Sequence, residues 1–451
     1  MTRGAGVLAV ILVAAAALRV VLVLRGGQNY WPDEVRYQRS AAAVEALSRG
    51  HLGAAARSLL HPDHPLFGVL GVVPAALEHA AGPNPRIPAL FFAAFSVASI
   101  LLLALLVRRL GESERASVLA AALLALSTTQ LYYSRHLLPY DTAMAFGLAA
   151  LVVGLGSTDR PRASIGCGLL AAAAVLTYDG FWLLGGFAGL AHVVRAPRSR
   201  RDVLRRTAAA GIAFAAPFAL LLGLDAAAGG DPARRAAAFS RTVSQGVYAE
   251  GWRLPFAYLW QAEHLVALLW AFGAGWGIVR IARGDRRPAL LLGAAGLAVI
   301  YGGLVASSVV LERAVVYGRL VRQLVPFACL LSALMLDRLW DRRRAAALAA
   351  FAATALEATL NFRAPLSQVF PAEFRRLAAA VPSPDGRERR LLYAEHIYPV
   401  PAPPPADCRG PELLARPHPL QYRPYQYEGY TPAERAALRA MDIRMRLILC
   451  R

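Results

Sequence analysis

The sequence predicts an all-α polytopic membrane protein of about eleven transmembrane helices, with a small α+β appendage at its C-terminal end. Three observations predict it. Of 451 residues, 57% are hydrophobic and 17% charged, too apolar a mixture for an ordinary soluble domain. The apolar residues fall in repeated runs of about 20, the length that crosses a bilayer as a helix. The arginines cluster in short segments between those runs, as in loops on the cytoplasmic side of a membrane.

The formal net charge of +20 would suit nucleic acid, but topology accounts for basic residues confined to loops, so no nucleic-acid partner is expected. Lysine is absent while alanine and arginine are abundant, a compositional bias without functional meaning. Of the four cysteines, Cys167 and Cys329 lie in apolar runs as small core residues. Cys408 and Cys450 lie in the polar C-terminal segment, where an oxidising compartment would let them pair. No CxxC or Cys/His metal spacing is present.

The first run, Ala5 to Leu24, follows a short Arg-bearing start and has no small-residue cleavage site before a polar stretch. It reads as a retained span rather than a signal peptide. Residues 25–65 form a polar loop with helical character over 36–51. The run Phe67–Ala80 is only about 14 residues long, which favours an interfacial or re-entrant helix over a crossing.

Charge decides that point. Suppose no crossing there, and spans at 86–107, 116–134, 139–156, 163–178, 180–194, 207–224, 256–279, 288–308, 320–336 and 344–361. The basic segments at 108–109, 159–162, 195–206, 280–287 and 337–344 then all share the side of the amino terminus, whereas a crossing at 67–80 would put them all outside. The expected membrane module is therefore residues 1–361 in an inner (plasma) membrane, with 25–80 as first outer loop. The amino terminus is cytoplasmic and residues 362–451 are extracytoplasmic. In that last segment 390–394 and 444–449 read as strands, Pro399–Pro405 as an extended linker, and Thr431-Pro432-Ala433-Glu434 as a capping box. No internal repeat of the inverted-repeat transporter kind is evident.

This topology gathers the unusual polar residues on the outer face. Asp33 and Glu34 directly follow the first span, where uncompensated carboxylates are costly. They read either as caps at the positive end of the next helix or as a general base for an attacking group. His61, Asp63 and His64 occupy a turn built by Pro62 and Pro65. They read as a surface turn or as a polar cluster beside the carboxylates, and a divalent metal is compatible with them although the spacing is not diagnostic. Arg135, His136 and Asp141 flank another outer turn, Asp141 being either an N-cap or a substrate contact. Arg319 and Arg322, three apart and so on one helix face, are basic residues in an outer loop. They suit an anion such as phosphate, or snorkel to headgroups.

Taken in order, these motifs resemble the GT-C membrane glycosyltransferases. The likeness rests on Asp33-Glu34 after the first span, His64-Pro65-Leu66 about 30 residues on, Arg86 opening the next span, Ser134, Arg135 and Asp141 about a turn, and the Arg319–Pro326 stretch. It covers roughly residues 1–340 and is nearest to the protein O-mannosyltransferase and aminoarabinose-transferase branch, glycosyltransferase family 39-like. The resemblance implies an enzyme that moves a sugar from a polyprenyl-phosphate carrier to a protein, lipid or glycan acceptor on the outer face, usually with inversion. It matches Asp33 to the family's catalytic carboxylate, Glu34 to its neighbour, His64 to the matching turn and Asp141 to a second acidic residue. Asp63 and His64 alter the usual proline pattern, and Phe67 and Gly68 stand where a Lys often follows, so the donor sugar stays open.

On that basis Asp33 would act as general base or orient the acceptor, while Arg319, Arg322 and Arg135 would stabilise the departing phosphate. The polyprenyl tail would lie in an apolar groove between spans, and membrane lipid is a further partner. A phosphate ester is already a competent leaving group, so a divalent metal is admissible but not obligatory. The rival reading is a transporter or flippase of a lipid-linked or anionic substrate, which would want ionisable groups at mid-membrane depth. The acidic residues sit near span ends instead, which favours the enzyme.

Overall fold

The computed structural model describes residues 3–28, 32–60, 64–82, 84–156, 161–195, 199–227, 251–314, 316 and 318–367, and the backbone of strands 391–397, 413–415 and 444–450. Among the described residues seven helices are long and apolar enough to cross a membrane: Gly4–Leu24, Arg86–Arg109, Arg200–Ala227, Leu265–Ala282, Pro288–Val310, Gly318–Arg342 and Arg344–Arg363. Pro65–Ala81, Tyr140–Gly154, Pro161–Thr177 and Asp179–Val194 are shorter apolar helices. Helices are what an apolar chain must form where no water can satisfy backbone N–H and C=O groups.

The segment Gly318–Arg342 is the centre of the bundle, with 83% of its apolar stretch buried against 11% for the peripheral Arg200–Ala227. It packs against Glu114–Ala125, Leu265–Ala282 and Pro288–Val305, while Pro161–Thr177 lies between Tyr140–Gly154 and Arg200–Ala227. The strands form an antiparallel sheet with Arg444–Cys450 between Leu391–Ile397 and Leu413–Ala415. Residues 399–405, Cys408 and 431–434 lie outside the described residues.

Two of the expected spans are broken, and the breaks meet. The run 116–134 forms two helices, Glu114–Ala125 and Thr128–Tyr133, because Ser127 caps the second with its hydroxyl on the Gln130 amide. The run 256–279 divides into Leu254–Glu263 and Leu265–Ala282 at His264, whose φ of 47° cannot continue a right-handed helix. Glu263, fully buried, accepts hydrogen bonds from Ser127 Oγ at 2.7 Å, Thr128 N at 3.1 Å and Thr129 N at 2.7 Å. One carboxylate thus satisfies the orphan amides of the short helix.

The short helix expected over 67–80 is Pro65–Ala81, 17 residues, with proline at its first position. It lies on the helix Gln38–Ser48, where the Ser40 hydroxyl donates to the Gly68 carbonyl at 2.8 Å. Only glycine fits at 71, since a Cβ there would come within 2.3 Å of Ser40 Oγ.

Side-chain contacts sort the helix ends into two groups. Asp33 meets Tyr140 and Arg319, and His64 meets Asp179. At the opposite ends of the same helices Arg115 meets Asp337 and Asp341, Arg287 meets Glu112, and Arg195 meets the Gly156 carbonyl. These are the two sets of loops that the charge pattern separates.

Candidate active site

The first span stops at Leu24, and Gly26 and Gly27, at φ of 90° and 105°, turn the chain back over the bundle. A 3₁₀ turn, Pro32–Tyr37, follows and carries both acidic residues. With three residues per turn, neighbours in such a turn point about 120° apart. Asp33 and Glu34 therefore go to different places.

Asp33 faces the ends of two distant helices. Its Oδ2 accepts from Arg319 Nη1 at 2.9 Å and lies 3.4 Å from the Tyr140 hydroxyl, while Oδ1 pairs with Arg36 Nη1 at 3.0 Å. The carboxylate and Arg319 remain accessible, at 29% and 28% of side-chain surface. Burial alone would raise the Asp33 pKa, but Arg36 and Arg319 together outweigh it and hold the carboxyl below its ordinary range. The group is an anion at neutral pH.

An aromatic wall stands beside it. Tyr140 and Tyr178 meet edge to face with ring centroids 4.8 Å apart, and His64 lies 4.9 Å from Tyr178. His64 sits at φ 55°, a left-handed conformation rare for a side-chain-bearing residue, immediately before Pro65. Its Nδ1 is 3.6 Å from Asp179 Oδ1, and its buried Nε2 has no hydrogen-bond partner among the described residues. Burial, then the charge of Arg36, push the His64 pKa well down, so the ring is neutral. The turn at 178–180 approaches so closely that a Cβ on Gly180 would fall 2.4 Å from Leu320 Cδ2. Gln323 fastens that turn, donating to the Gly180 carbonyl at 3.0 Å.

Glu34 is fully buried and takes the Leu137 amide at 2.7 Å and His136 Nδ1 at 3.1 Å. Neither acidic residue caps the helix Gln38–Ser48, whose first turn has no side-chain cap. Arg135 is also fully buried; its Nη2 donates to the Leu22 carbonyl at 3.3 Å. Both residues bind the 135–137 turn to the end of the first span, away from Asp33.

A second ionic cluster lies beneath. Arg322, without exposed surface, pairs through Nη2 with Asp141, donates to Gln130 Oε1 at 2.9 Å, and stacks 4.7 Å over the Tyr133 ring. Asp141 stands in the first turn of Tyr140–Gly154, with Pro139 at the cap position, so it is not the N-cap. Arg319 and Arg322 thus serve different carboxylates, Asp33 and Asp141, despite their three-residue spacing. His61 and Asp63 lie outside the described residues.

Sequence reasoning missed Arg36, Tyr140, Tyr178 and Asp179, which carry no motif of their own. It also missed Arg19 and Glu263, for which a signal existed: each is a charged residue inside an apolar run. Arg19, buried, donates to Ser96 Oγ at 2.8 Å and to the Ala15 carbonyl at 3.1 Å. Among the described residues no cluster of three or more His, Cys, Asp or Glu side chains is placed to hold a metal ion.

The arrangement offers a partly accessible, ionised carboxylate between two arginines, against an aromatic wall with Asp179 beyond His64. It can orient a hydroxyl or amine and receive an anion at one spot.

No family model matches the chain, and no characterised protein matches it in sequence. Solved structures do match in fold. ArnT from Cupriavidus metallidurans bound to undecaprenyl phosphate superposes with a TM-score of 0.57 at 17% identity, over 83% of this chain and 69% of that one. Its apo form gives 0.57 at 18%, over 83% and 67%. The Archaeoglobus fulgidus oligosaccharyltransferase in the apo form gives 0.50 at 15%, over 84% and 58%.

Proposed function

From the GT-C-like fold that this chain shares with those membrane glycosyltransferases, we propose that it transfers a sugar from a polyprenyl-phosphate donor to an acceptor on the extracytoplasmic side. The observation that carries the reading is the partly accessible Asp33 carboxylate held between Arg36 and Arg319. Asp33 accepts the proton of the acceptor hydroxyl or amine as its oxygen or nitrogen bonds to the anomeric carbon. The bond from that carbon to the phosphate oxygen breaks with the electron pair leaving on phosphate. Arg319 and Arg36 lie where that charge develops and stabilise it. One displacement of this kind inverts the anomeric centre.

A carboxylate depressed by two arginines is a weak base. The donor phosphate relieves this, because it competes for both guanidiniums and so raises the proton affinity of Asp33 as the donor binds. Glu34 and Arg135 position the Asp33 loop, Arg322 and Asp141 hold the Arg319 segment, and none of these four touches substrate. Among the described residues no three His, Cys, Asp or Glu side chains gather as a metal-ligand set.

The reading keeps about eleven spans, a cytoplasmic amino terminus and an outer C-terminal segment of residues 362–451. The rival, a flippase or transporter, shares the arginines but assigns no proton transfer to Asp33. Turnover of a panel of polyprenyl-phosphate sugars in liposomes, with the native chain and Asp33→Asn at matched folding, separates them. Sugar transfer by the native chain alone supports the enzyme. Equal transfer by both moves the catalytic role elsewhere, and lipid translocation without transfer supports the transporter.

A further inference from the structure

At the end of the bundle opposite Asp33 lies a cavity of about 590 Å³ between four helices. Val7 and Ile11 of the first span, Leu119, Leu348 and Phe351 line it, and Trp340 stands at its rim. It belongs to a different place from the site already described, because the helix Val325–Arg342 runs from the Arg322 segment to this cavity over 18 residues, about 27 Å at 1.5 Å per residue.

The wall is apolar except for Glu114 and Arg115, and Arg115 is spent on Asp337 and Asp341. Exposed apolar side chains continue around it, with Val7 50% and Leu348 45% accessible. An apolar space of this kind suits hydrocarbon better than ordered water. The rim has the opposite character. The Trp340 ring lies between Arg115, 5.5 Å from its centroid, and Arg344, 4.9 Å from it. Arg344 is exposed and has no carboxylate partner among the described residues. The segment 337–344 carries Arg338, Arg342, Arg343 and Arg344 against Asp337 and Asp341, four positive charges less two negative, a surplus of two.

We propose that this cavity holds an acyl chain of an anionic membrane phospholipid whose phosphate sits on Arg344 above Trp340. The combination is chemically specific. Basic pockets between helices select anionic headgroups, tryptophan settles at headgroup level, and the space beneath accepts only hydrocarbon. The lipid would tie the first span to the helix Arg344–Ser367, which meet around the cavity.

Trp340 reports on the occupant directly. Its fluorescence is the difference between the native protein and Trp340→Phe in vesicles carrying acyl-brominated phosphatidylglycerol or acyl-brominated phosphatidylcholine at equal mole fraction. Quenching is expected to favour the anionic lipid, and Arg344→Gln is expected to weaken that preference about fivefold. Arg344 is exposed but lies on the Trp340 ring, so the preference is read as the ratio of quenching by the two lipids within each variant. Native mass spectrometry of the unmodified chain should show phosphatidylglycerol retained over phosphatidylethanolamine. Equal quenching by both brominated lipids, or a preference that survives Arg344→Gln, overturns the proposal. Protection from both lipids together with cross-linking of two chains through this face would identify a second copy as the occupant and also overturn it.

Discussion

The two ends of the helix bundle use the same residue types in opposite ways. At one end Arg115 bridges Asp337 and Asp341, and Arg287 bridges Asp285 and Glu112, on surfaces where Arg115 keeps 35% and Asp341 50% of its exposure. Such pairs are screened and interchangeable. At the other end Arg322 and Asp141 are sealed inside, and Nε and Nη1 of Arg322 and Nη2 of Arg19 have no hydrogen-bond partner among the described residues. Asp33, Arg36 and Arg319 stay partly accessible there, and Asp179, which faces His64, keeps 46% of its side-chain surface. The first end also seals a charge, Arg206 on Asp202 and the Arg195 carbonyl, so what sets the second end apart is a partly accessible carboxylate and two arginines beside a sealed pair.

The contrast can be broken most directly at Asp33. Asp33→Asn should lower sugar transfer about 10²- to 10⁴-fold, while Asp337→Asn at the other end leaves turnover unchanged; comparable losses would erase the distinction. Next in size is the sealed pair. Asp141→Asn or Arg322→Gln strands a buried charge and should cost about 3–5 kcal/mol in denaturant unfolding, with the apolar double variant Asp141→Leu with Arg322→Met costing less than either. If each single variant costs no more than a surface pair, the burial contrast is wrong.

Acidity sharpens the comparison. The folded-state pKa of Asp33 is lowered, so its ion pairs contribute stability that is present above the ordinary carboxylate value of about 3.9 and lost as pH falls through the lower folded value. Arg319→Gln removes one of the two cations, so the acid limb of kcat/KM should move to higher pH. An unmoved limb would detach Arg319 from Asp33. Gly180→Ala, whose new methyl meets Leu320, should destabilise by about 1–3 kcal/mol and is read by thermal unfolding. Smallest of all, Arg115→Gln should cost under about 1 kcal/mol, less still at high salt.

How the fold could be read from the chain depended on distance. Run length and arginine placement are local counts, so the helices, the short Pro65–Ala81 element and the separation of loops into two groups were legible. So was the placement of Asp33 and Arg319 at the same set of helix ends. The breaks at Ser127 and His264 were not, because each span is apolar throughout and the break is stabilised by Glu263 from another helix. That Glu34, Arg135 and Arg322 are buried against protein partners was hidden for a related reason: residue type names a charge, but only its partners say which way it points.

By itself the sequence determined that this is a membrane-embedded helical protein with its unusual polar residues gathered at one set of helix ends. Bilayer thickness and the cost of burying charge act on each segment separately, so those properties are written locally. The tertiary structure decided which charges meet: Asp33 with Arg319, 286 residues away, and Asp141 with Arg322, 181 away. Such pairings depend on how helices pack around the central Gly318–Arg342 segment, and packing is a property of the whole bundle.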